Sequence, residues 1–237
     1  MNRVLIILAF VCWPAAAQNV VVCVLFDLSQ SAQKVRSGYQ VDFEKVVDGL
    51  TGDELVLGAG ITANSLATGR FEIDKEISKY NPFADSKLTY RKKLQNAQMA
   101  LKQDARKLLE RTSAPNTDLL GAMQLAEKAF QSHAGATAKV RLLILFSDMV
   151  EESTHCNFRN ENLTPPRITT LVGAEQKAGR LPMLNGVQVW VSGAGGTLPE
   201  KFSQIQDFWL QYFRAAGADL RKGRYGAGLM DFSVPHP

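Results

Sequence analysis

The chain has 237 residues, of which 46% are hydrophobic and 21% are charged. This is the composition of a folded globular protein, and it excludes intrinsically disordered chains and low-complexity fibres. The net charge of +4 is too small to indicate a nucleic-acid-binding protein by itself, so we expect no nucleic-acid partner.

The N-terminal segment has the features of a secretory signal peptide. Arg3 precedes an unbroken apolar run from Val4 to Trp13, and small alanine residues then supply a cleavage pattern. The run is too short to cross a hydrocarbon core of ~30 Å as a helix. We therefore expect residues 1–17 to be removed and residues 18–237 to form one exported domain without a transmembrane segment. The expected location is a bacterial periplasm or, failing that, the medium outside the cell.

Apolar runs alternate with helical periodicity along the rest of the chain. Strands are predicted at 20–26, 53–62, 69–77, 140–146, 187–191 and 227–234. Helices are predicted at 30–50, 87–111, 118–132, 168–179 and 199–216. This order predicts a single, doubly wound α/β domain of Rossmann-like type, in which helices flank a mainly parallel sheet. The segment 69–77 is expected to be a short antiparallel edge strand.

Polar side chains follow the predicted strands at the points where ligands bind in open α/β sheets. Such clusters occur at Asp27–Ser31, at Thr117–Asp118 and at Ser147–Asp148. Aspartate, serine and threonine are also the preferred N-cap residues of helices, so each cluster alone is better explained as a cap. Their joint occurrence at strand ends favours a ligand site.

This pattern resembles the metal-ion-dependent adhesion site of the von Willebrand factor type A (vWA) domains. That site uses D-x-S-x-S, a threonine in a later loop and an aspartate after the fourth strand. The matching residues here are Asp27, Ser29, Ser31, Thr117 and Asp148. The segment TDLLGAMQLA also looks like the T-x-L-x-x-A-L segment of the family. The resemblance extends over about residues 20–218 and implies a vWA-like fold that binds a divalent cation.

The chemistry of the candidate residues agrees with this implication. Mg²⁺ requires an octahedral set of oxygen ligands, which hydroxyl groups and the carboxylates of Asp27 and Asp148 can supply directly or through water. Asp118 and Ser147 are expected beside the ligands. Because the protein leaves the coordination incomplete, the cation can accept a carboxylate from another molecule. We therefore expect binding of a protein that presents Asp or Glu, through Mg²⁺ or Mn²⁺, with Ca²⁺ not excluded.

Two other functions remain open at this stage. A bound cation can also act as the Lewis acid of a hydrolase of phosphoesters or envelope polymers, for which His155 is the candidate base. A metal-free structural scaffold is the third hypothesis. No nucleophile or general base stands out in the sequence, so a binding protein is favoured over an enzyme. Whether Cys23 and Cys156 pair in an oxidising compartment is also open.

The predicted helix at 87–111 is strongly basic. Residues 86–111 carry eight Lys or Arg against Asp104 and Glu110, a local charge of +6. Such a face can attract an acidic partner or anionic lipid headgroups, or it can simply be solvated. By contrast, the aromatic run in the last predicted helix is expected to pack in the core, and it comprises Phe208, Trp209, Tyr212 and Phe213.

Overall fold

The computed structural model describes residues 19–235, and the predicted leader at 1–17 lies outside them. Within the described part, six strands form one sheet: β1 Val20–Asp27, β2 Glu54–Ile61, β3 Ile73–Ile77, β4 Val140–Phe146, β5 Gln188–Ser192 and β6 Asp219–Gly226. The α-helices of that part are α1 Arg36–Asp48, α2 Ser65–Thr68, α3 Lys87–Leu109, α4 Leu119–Gln131, α5 His133–Thr137, α6 Pro165–Lys177 and α7 Pro199–Ala215.

The sheet has the order β3-β2-β1-β4-β5-β6. Every neighbouring pair is parallel except β2 and β3, which are antiparallel. The predicted α/β class, the doubly wound sheet and the antiparallel edge strand are therefore confirmed. The chain reverses its direction of growth between β1 and β4, so the crevice between their carboxyl ends is the topological switch point at which such sheets bind ligands.

Alternate residues of β1 face two separate hydrophobic cores, as the period of a strand requires. Val20, Val22, Val24 and Phe26 pack with α1 and α3 on one side of the sheet. The intervening residues pack with α4, α6 and α7 on the other side. Because both faces are covered, β1 is a continuous apolar run and is buried along its whole length.

The prediction of a last strand at 227–234 is wrong. The last strand is β6, and only Leu220 and Tyr225 of its side chains are buried. Its sequence, DLRKGRYG, carries charges on an exposed edge and lacks the apolar run on which the prediction relied. Residues 227–235 instead form an irregular segment that buries Leu229 and Val234 against the core of α1 and α3.

Several side chains of uncertain role are resolved by the fold. Cys23 and Cys156 are both buried and free, so they do not form a disulfide. The four aromatic residues from Phe208 to Phe213 in α7 are at most 1% exposed, which confirms that they belong to the core. Between residues 19 and 235, no helix has the length and apolar character needed to span a membrane.

Asp42 joins α1 to two distant parts of the chain. Its carboxylate accepts hydrogen bonds from Ser192 Oγ at 2.6 Å, from the Leu229 backbone at 2.9 Å and from Lys45 Nζ at 2.6 Å. Burial opposes ionisation of Asp42, but these hydrogen bonds outweigh it and lower the pKa. The carboxylate therefore stabilises the fold above its unfolded pKa of about 4, and this stabilisation is lost as the pH falls through the lower folded pKa.

We expect Asp42→Asn to reduce the free energy of unfolding by about 1–3 kcal/mol near neutral pH. The difference in stability between the wild type and the variant should shrink as the pH falls below about 4, because the wild-type Asp42 side chain then becomes neutral, as the asparagine is at every pH. Urea unfolding across that pH range measures both effects. Asp104→Asn, which removes an exposed carboxylate, is the control. A difference that stays constant with pH would contradict the assigned role.

Candidate metal centre

The candidate residues lie where β1 and β4 end side by side. Asp27 is the last residue of β1, and Asp148 follows β4 by two residues. The loop that carries Thr117 contacts both strand ends, because Ser29 forms a parallel bridge with Ala114 and the Thr117 carbonyl accepts a hydrogen bond from Glu152 N at 2.8 Å. The fold thus brings all three predicted clusters to one edge of the sheet.

Asp27 is completely buried and is oriented by two donors. Its Oδ1 accepts a hydrogen bond from Ser29 N at 2.8 Å, and its Oδ2 accepts one from Ser147 Oγ at 2.7 Å. Neither contact is a helix cap, so the cap explanation fails for Asp27. Each carboxylate oxygen keeps a second lone pair for a further ligand. Ser147 thus contacts one of the candidate ligands directly.

The serines of the first loop have few other partners. Ser29 Oγ and Ser31 Oγ lie 3.0 Å apart and hydrogen-bond to each other. Ser31 is exposed, and its hydroxyl is near enough to Asp148 to lower the pKa of that carboxyl. These two hydroxyls therefore stand between the buried aspartate and the half-buried one.

Thr117 and Asp118 are adjacent but have different roles. Asp118 caps α4, because its carboxylate accepts a hydrogen bond from Gly121 N at 2.8 Å, and it also accepts one from Ser65 N at 2.8 Å. These contacts explain Asp118 without a metal. Thr117 caps nothing: its hydroxyl oxygen is buried and has no hydrogen-bond partner among the described residues. A buried hydroxyl without a partner is costly, so it needs an explanation.

The loop after β4 is held in an unusual conformation. Met149 has φ of 64°, in the left-handed region that non-glycine residues rarely adopt. Ser147 Oγ accepts a hydrogen bond from Met149 N at 2.9 Å, and the Met149 carbonyl accepts one from Trp209 Nε1 at 2.9 Å. Strain of this kind persists only where the surroundings impose it and is common at functional sites. In the same loop, Asp148 Oδ1 accepts a hydrogen bond from Val150 N at 3.0 Å.

Burial raises the pKa of both aspartates, and the charge of Asp27 raises the pKa of Asp148 further. Burial raises the pKa of Asp27 above its ordinary value, although the hydrogen bonds from Ser147 and Ser29 oppose the rise. Burial and the nearby charge of Asp27 raise the pKa of Asp148 to about 6. A cation between the two carboxylates would reverse both effects.

The donor set fits a hard divalent cation. Within residues 19–235 there is no group of three or more His, Cys, Asp or Glu that could hold a metal ion, so a metal site here depends on hydroxyl oxygens. The ends of β1 and β4 and the intervening loop supply two carboxylates and three hydroxyls, one of which is buried without a partner. Mg²⁺ and Mn²⁺ favour oxygen donors of this type, whereas zinc favours nitrogen and sulfur.

A cleft of about 710 Å³ opens beside Ser31 and Asp148. Tyr39 of α1 lines it, and its hydroxyl is buried without a hydrogen-bond partner among the described residues. The glycine loop after β5 forms part of the wall. At Gly193, where φ is 101°, a Cβ atom would lie 2.4 Å from the Tyr39 ring, so only glycine allows this approach. The cleft gives another molecule access to Asp148.

The hydrolase hypothesis gains no support from His155. This residue is exposed and lines a separate cavity of about 280 Å³ with Asp118 and Arg180, whereas Ser31 and Asp148 line the cleft described above. Sequence reasoning missed Tyr39, Arg36 and Trp209, which shape or support the site. Nothing in their local sequence patterns distinguishes them from ordinary helix residues.

No family model and no curated protein sequence matches the chain. Solved structures are similar to it in fold. They include a von Willebrand factor type A protein from Catenulispora acidiphila, with 14% identity, a TM-score of 0.45 and coverage of 85% of this chain and 43% of that one. The mainly parallel sheet and the single antiparallel edge strand agree with the fold that the sequence resemblance implies. The fold is vWA-like.

Two further structures share this overall similarity. The manganese-loaded TRAP protein of Plasmodium vivax has 13% identity and a TM-score of 0.46, with coverage of 89% of this chain and 68% of that one. The pilus adhesin SpaC of Lactobacillus rhamnosus GG has 11% identity and a TM-score of 0.48, with coverage of 84% and 27%. This chain therefore spans less than half of the first and third structures. At such identities we take no residue role from them.

Proposed function

We propose that this chain is an exported protein-binding domain that captures a carboxylate of its partner through a divalent cation, Mg²⁺ or Mn²⁺. The single observation that carries the proposal is the buried hydroxyl oxygen of Thr117, which has no hydrogen-bond partner among the described residues, in the loop that joins the ends of β1 and β4. A metal ligand at this position explains why the fold tolerates such an oxygen.

The electrostatics of the site support the same proposal. Burial raises the pKa of both Asp27 and Asp148, and the charge of Asp27 further disfavours ionisation of Asp148. Without a cation, the two carboxylates resist ionisation in this buried site. In a metal-binding protein they supply the charge that attracts the ion, and the three neutral hydroxyls complete the protein's share of the oxygens.

The chain's own residues account for orientation and access. Ser147 and the Ser29 backbone fix the Asp27 carboxylate, while Met149 and Trp209 fix the loop of Asp148. When bound, the cation would supply a Lewis acid that accepts a carboxylate oxygen from outside. The cleft beside Asp148 leaves room for the rest of the partner. Adhesion is named for the similar solved structures, whereas for this chain protein binding is our proposal.

The proposal is tested by calorimetric titration of Mn²⁺ into the chain that begins at Gln18. We expect one ion to bind per chain, with an affinity that falls roughly tenfold to a hundredfold in Ser29→Ala/Ser31→Ala, because two oxygen donors are lost. Ser37→Ala removes an exposed hydroxyl that lines the same cleft, and it should leave the affinity unchanged. Equal affinities in all three proteins would refute the assignment of the serines.

The open coordination has its own readout in the same samples. Mn²⁺ that retains exchangeable waters strongly enhances water-proton relaxation, and added acetate or a short acidic peptide should reduce this enhancement as a carboxylate displaces water. A bound ion whose relaxation is weak and insensitive to carboxylates would indicate a closed structural site. Failure of Mn²⁺ to bind at millimolar concentrations would refute the metal mechanism itself.

A further inference from the structure

A second surface of the chain combines exposed apolar side chains with unpaired cations. Phe83 lies in the loop before α3 and is 99% exposed, and Leu88 in the first turn of α3 is 63% exposed. Lys87, Arg91 and Lys92 surround Leu88 on the exposed side of the helix. We call these five residues the Phe83 surface.

The cations of this surface are available to a ligand. Four other basic residues of the 87–111 segment have carboxylate partners, in the pairs Lys93–Asp85, Lys102–Asp48, Lys107–Asp104 and Arg111–Glu72. Among residues 19–235, no carboxylate lies within ion-pair distance of Lys87, Arg91 or Lys92. At helical spacing these three residues and Leu88 fall within one side of α3, since 87, 88, 91 and 92 are neighbours on the first two turns.

The position of Phe83 is fixed by its own loop. Asn81 Oδ1 accepts a hydrogen bond from Phe83 N at 3.0 Å, and the Asn81 carbonyl accepts one from Ala84 N at 3.1 Å. Ser86 then caps α3 through the Thr89 backbone at 3.1 Å. An ordered turn thus holds a phenyl ring in solvent. Because the ring is not buried, it contributes no hydrophobic stabilisation to folding.

This surface lies at the opposite end of the sheet from the metal centre. Because β3 is antiparallel to β2, its last residue, Ile77, pairs with Glu54, the first residue of β2. Asp27, by contrast, is the last residue of β1 and lies at the carboxyl ends of the parallel strands. Tyr90 of α3 confirms this placement, since its hydroxyl donates to the Thr51 carbonyl just before β2. A molecule bound at the Phe83 surface therefore leaves the metal centre free.

We propose that the Phe83 surface docks the domain on a bilayer that contains anionic phospholipids. An exposed ring in the loop before α3, and an exposed leucine flanked by lysine and arginine in its first turns, match the interfacial layer of such a bilayer. The apolar groups enter the acyl boundary, and the cations contact phosphate groups. A fully exposed ring just before the start of a helix suits a flat, fluid surface. Each cation near an anionic surface raises partitioning roughly fivefold.

Co-sedimentation with vesicles tests the proposal, using the chain that begins at Gln18 in the presence of chelator. We expect binding to phosphatidylcholine vesicles with about one third phosphatidylglycerol, and weak binding to pure phosphatidylcholine. Lys87→Glu/Arg91→Glu/Lys92→Glu should reduce partitioning by more than roughly a hundredfold. Lys128→Glu/Lys139→Glu/Lys177→Glu makes the same change in net charge at exposed positions outside the Phe83 surface, and should retain most of the binding.

The role of Phe83 is tested separately. Phe83→Ser should weaken binding roughly tenfold, whereas Met183→Ser, at another exposed apolar residue, should not. The fluorescence of Phe83→Trp should shift to the blue when anionic vesicles are added. Binding that is equally reduced by both charge variants, or that is unaffected by Phe83→Ser, overturns the proposal. So does binding to polyglutamate without binding to vesicles, which would assign the surface to an acidic protein.

Discussion

Thr117→Val is expected to change stability and metal affinity in opposite directions. Valine has the shape of threonine but lacks the hydroxyl, which is buried here and has no hydrogen-bond partner among the described residues. Removing this oxygen should raise the free energy of unfolding of the metal-free protein by about 1 kcal/mol. The same change should weaken Mn²⁺ binding roughly tenfold to a hundredfold, because an oxygen ligand is lost.

Chemical unfolding in chelator and in excess Mn²⁺ measures both effects. In the wild type the ion should add stability in proportion to the logarithm of its concentration over the dissociation constant. In Thr117→Val this increment should largely disappear, although the metal-free variant starts from the higher stability. A variant that is less stable in chelator would show that the hydroxyl has a structural partner, and an unchanged metal increment would show that it is no ligand.

Thr62→Val is the matched control. Thr62 follows the neighbouring strand β2, and its hydroxyl pairs with Thr68 Oγ1 at 3.0 Å and accepts a hydrogen bond from Asn64 N at 3.3 Å. Removal of the Thr62 hydroxyl should therefore lower stability, whereas removal of the Thr117 hydroxyl should raise it. Metal affinity should be unchanged in Thr62→Val. Asp27→Ala is a less selective test, because it also deprives Ser147 Oγ and Ser29 N of their acceptor.

The positions of the candidate ligands could be predicted from the sequence because each of them lies close to the end or the start of a recognisable element. Asp27 and Ser147–Asp148 come after buried strands, and parallel strands bring their carboxyl ends to one edge. From the sequence, Asp118 could equally be the N-cap of a helix or a residue beside the metal ligands, because both roles call for an aspartate next to the same helix. Only the contacts with Gly121 and Ser65 identify the cap.

Features that depend on distant contacts could not be predicted. That the Thr117 hydroxyl is unpartnered is a property of all the residues around it, not of its own segment. The strand β6 escaped notice because the edge position makes its charged residues acceptable, and position in the sheet is not encoded locally. The outward Phe83 was hidden for a similar reason, because a lone phenylalanine in a loop normally packs inward.

Arg36 is the clearest case of a residue whose role appears only in three dimensions. Its guanidinium connects the loop of Asp27 with the chain that follows α3, about 75 residues away in sequence. Because carbonyl oxygens from both segments face it, one planar group with several donors satisfies acceptors that no single lysine could reach. The acceptors are the carbonyls of Leu28, Ser29, Leu109 and Arg111 and the hydroxyl of Ser113.

Arg36→Met is therefore expected to lower the free energy of unfolding by about 3–5 kcal/mol. Methionine retains the apolar stem but supplies no donor, so carbonyls on two distant segments lose the donor that joins them. Arg70→Met, at a side chain that is 81% exposed, is the control and should change stability by less than about 0.5 kcal/mol. Urea unfolding in chelator measures the difference, and a loss under about 1 kcal/mol at Arg36 would contradict this account.

Arg36→Lys separates the effect on the fold from the effect on the metal centre. The ammonium group can satisfy part of the cluster, so this variant should stay folded while the loop from Leu28 to Ser31 becomes less firmly held. Because that loop carries two of the proposed ligands, Mn²⁺ binding should weaken in the folded variant. Unchanged Mn²⁺ affinity would mean that the loop holds its conformation without Arg36, and that the order of the site depends on the strand end alone.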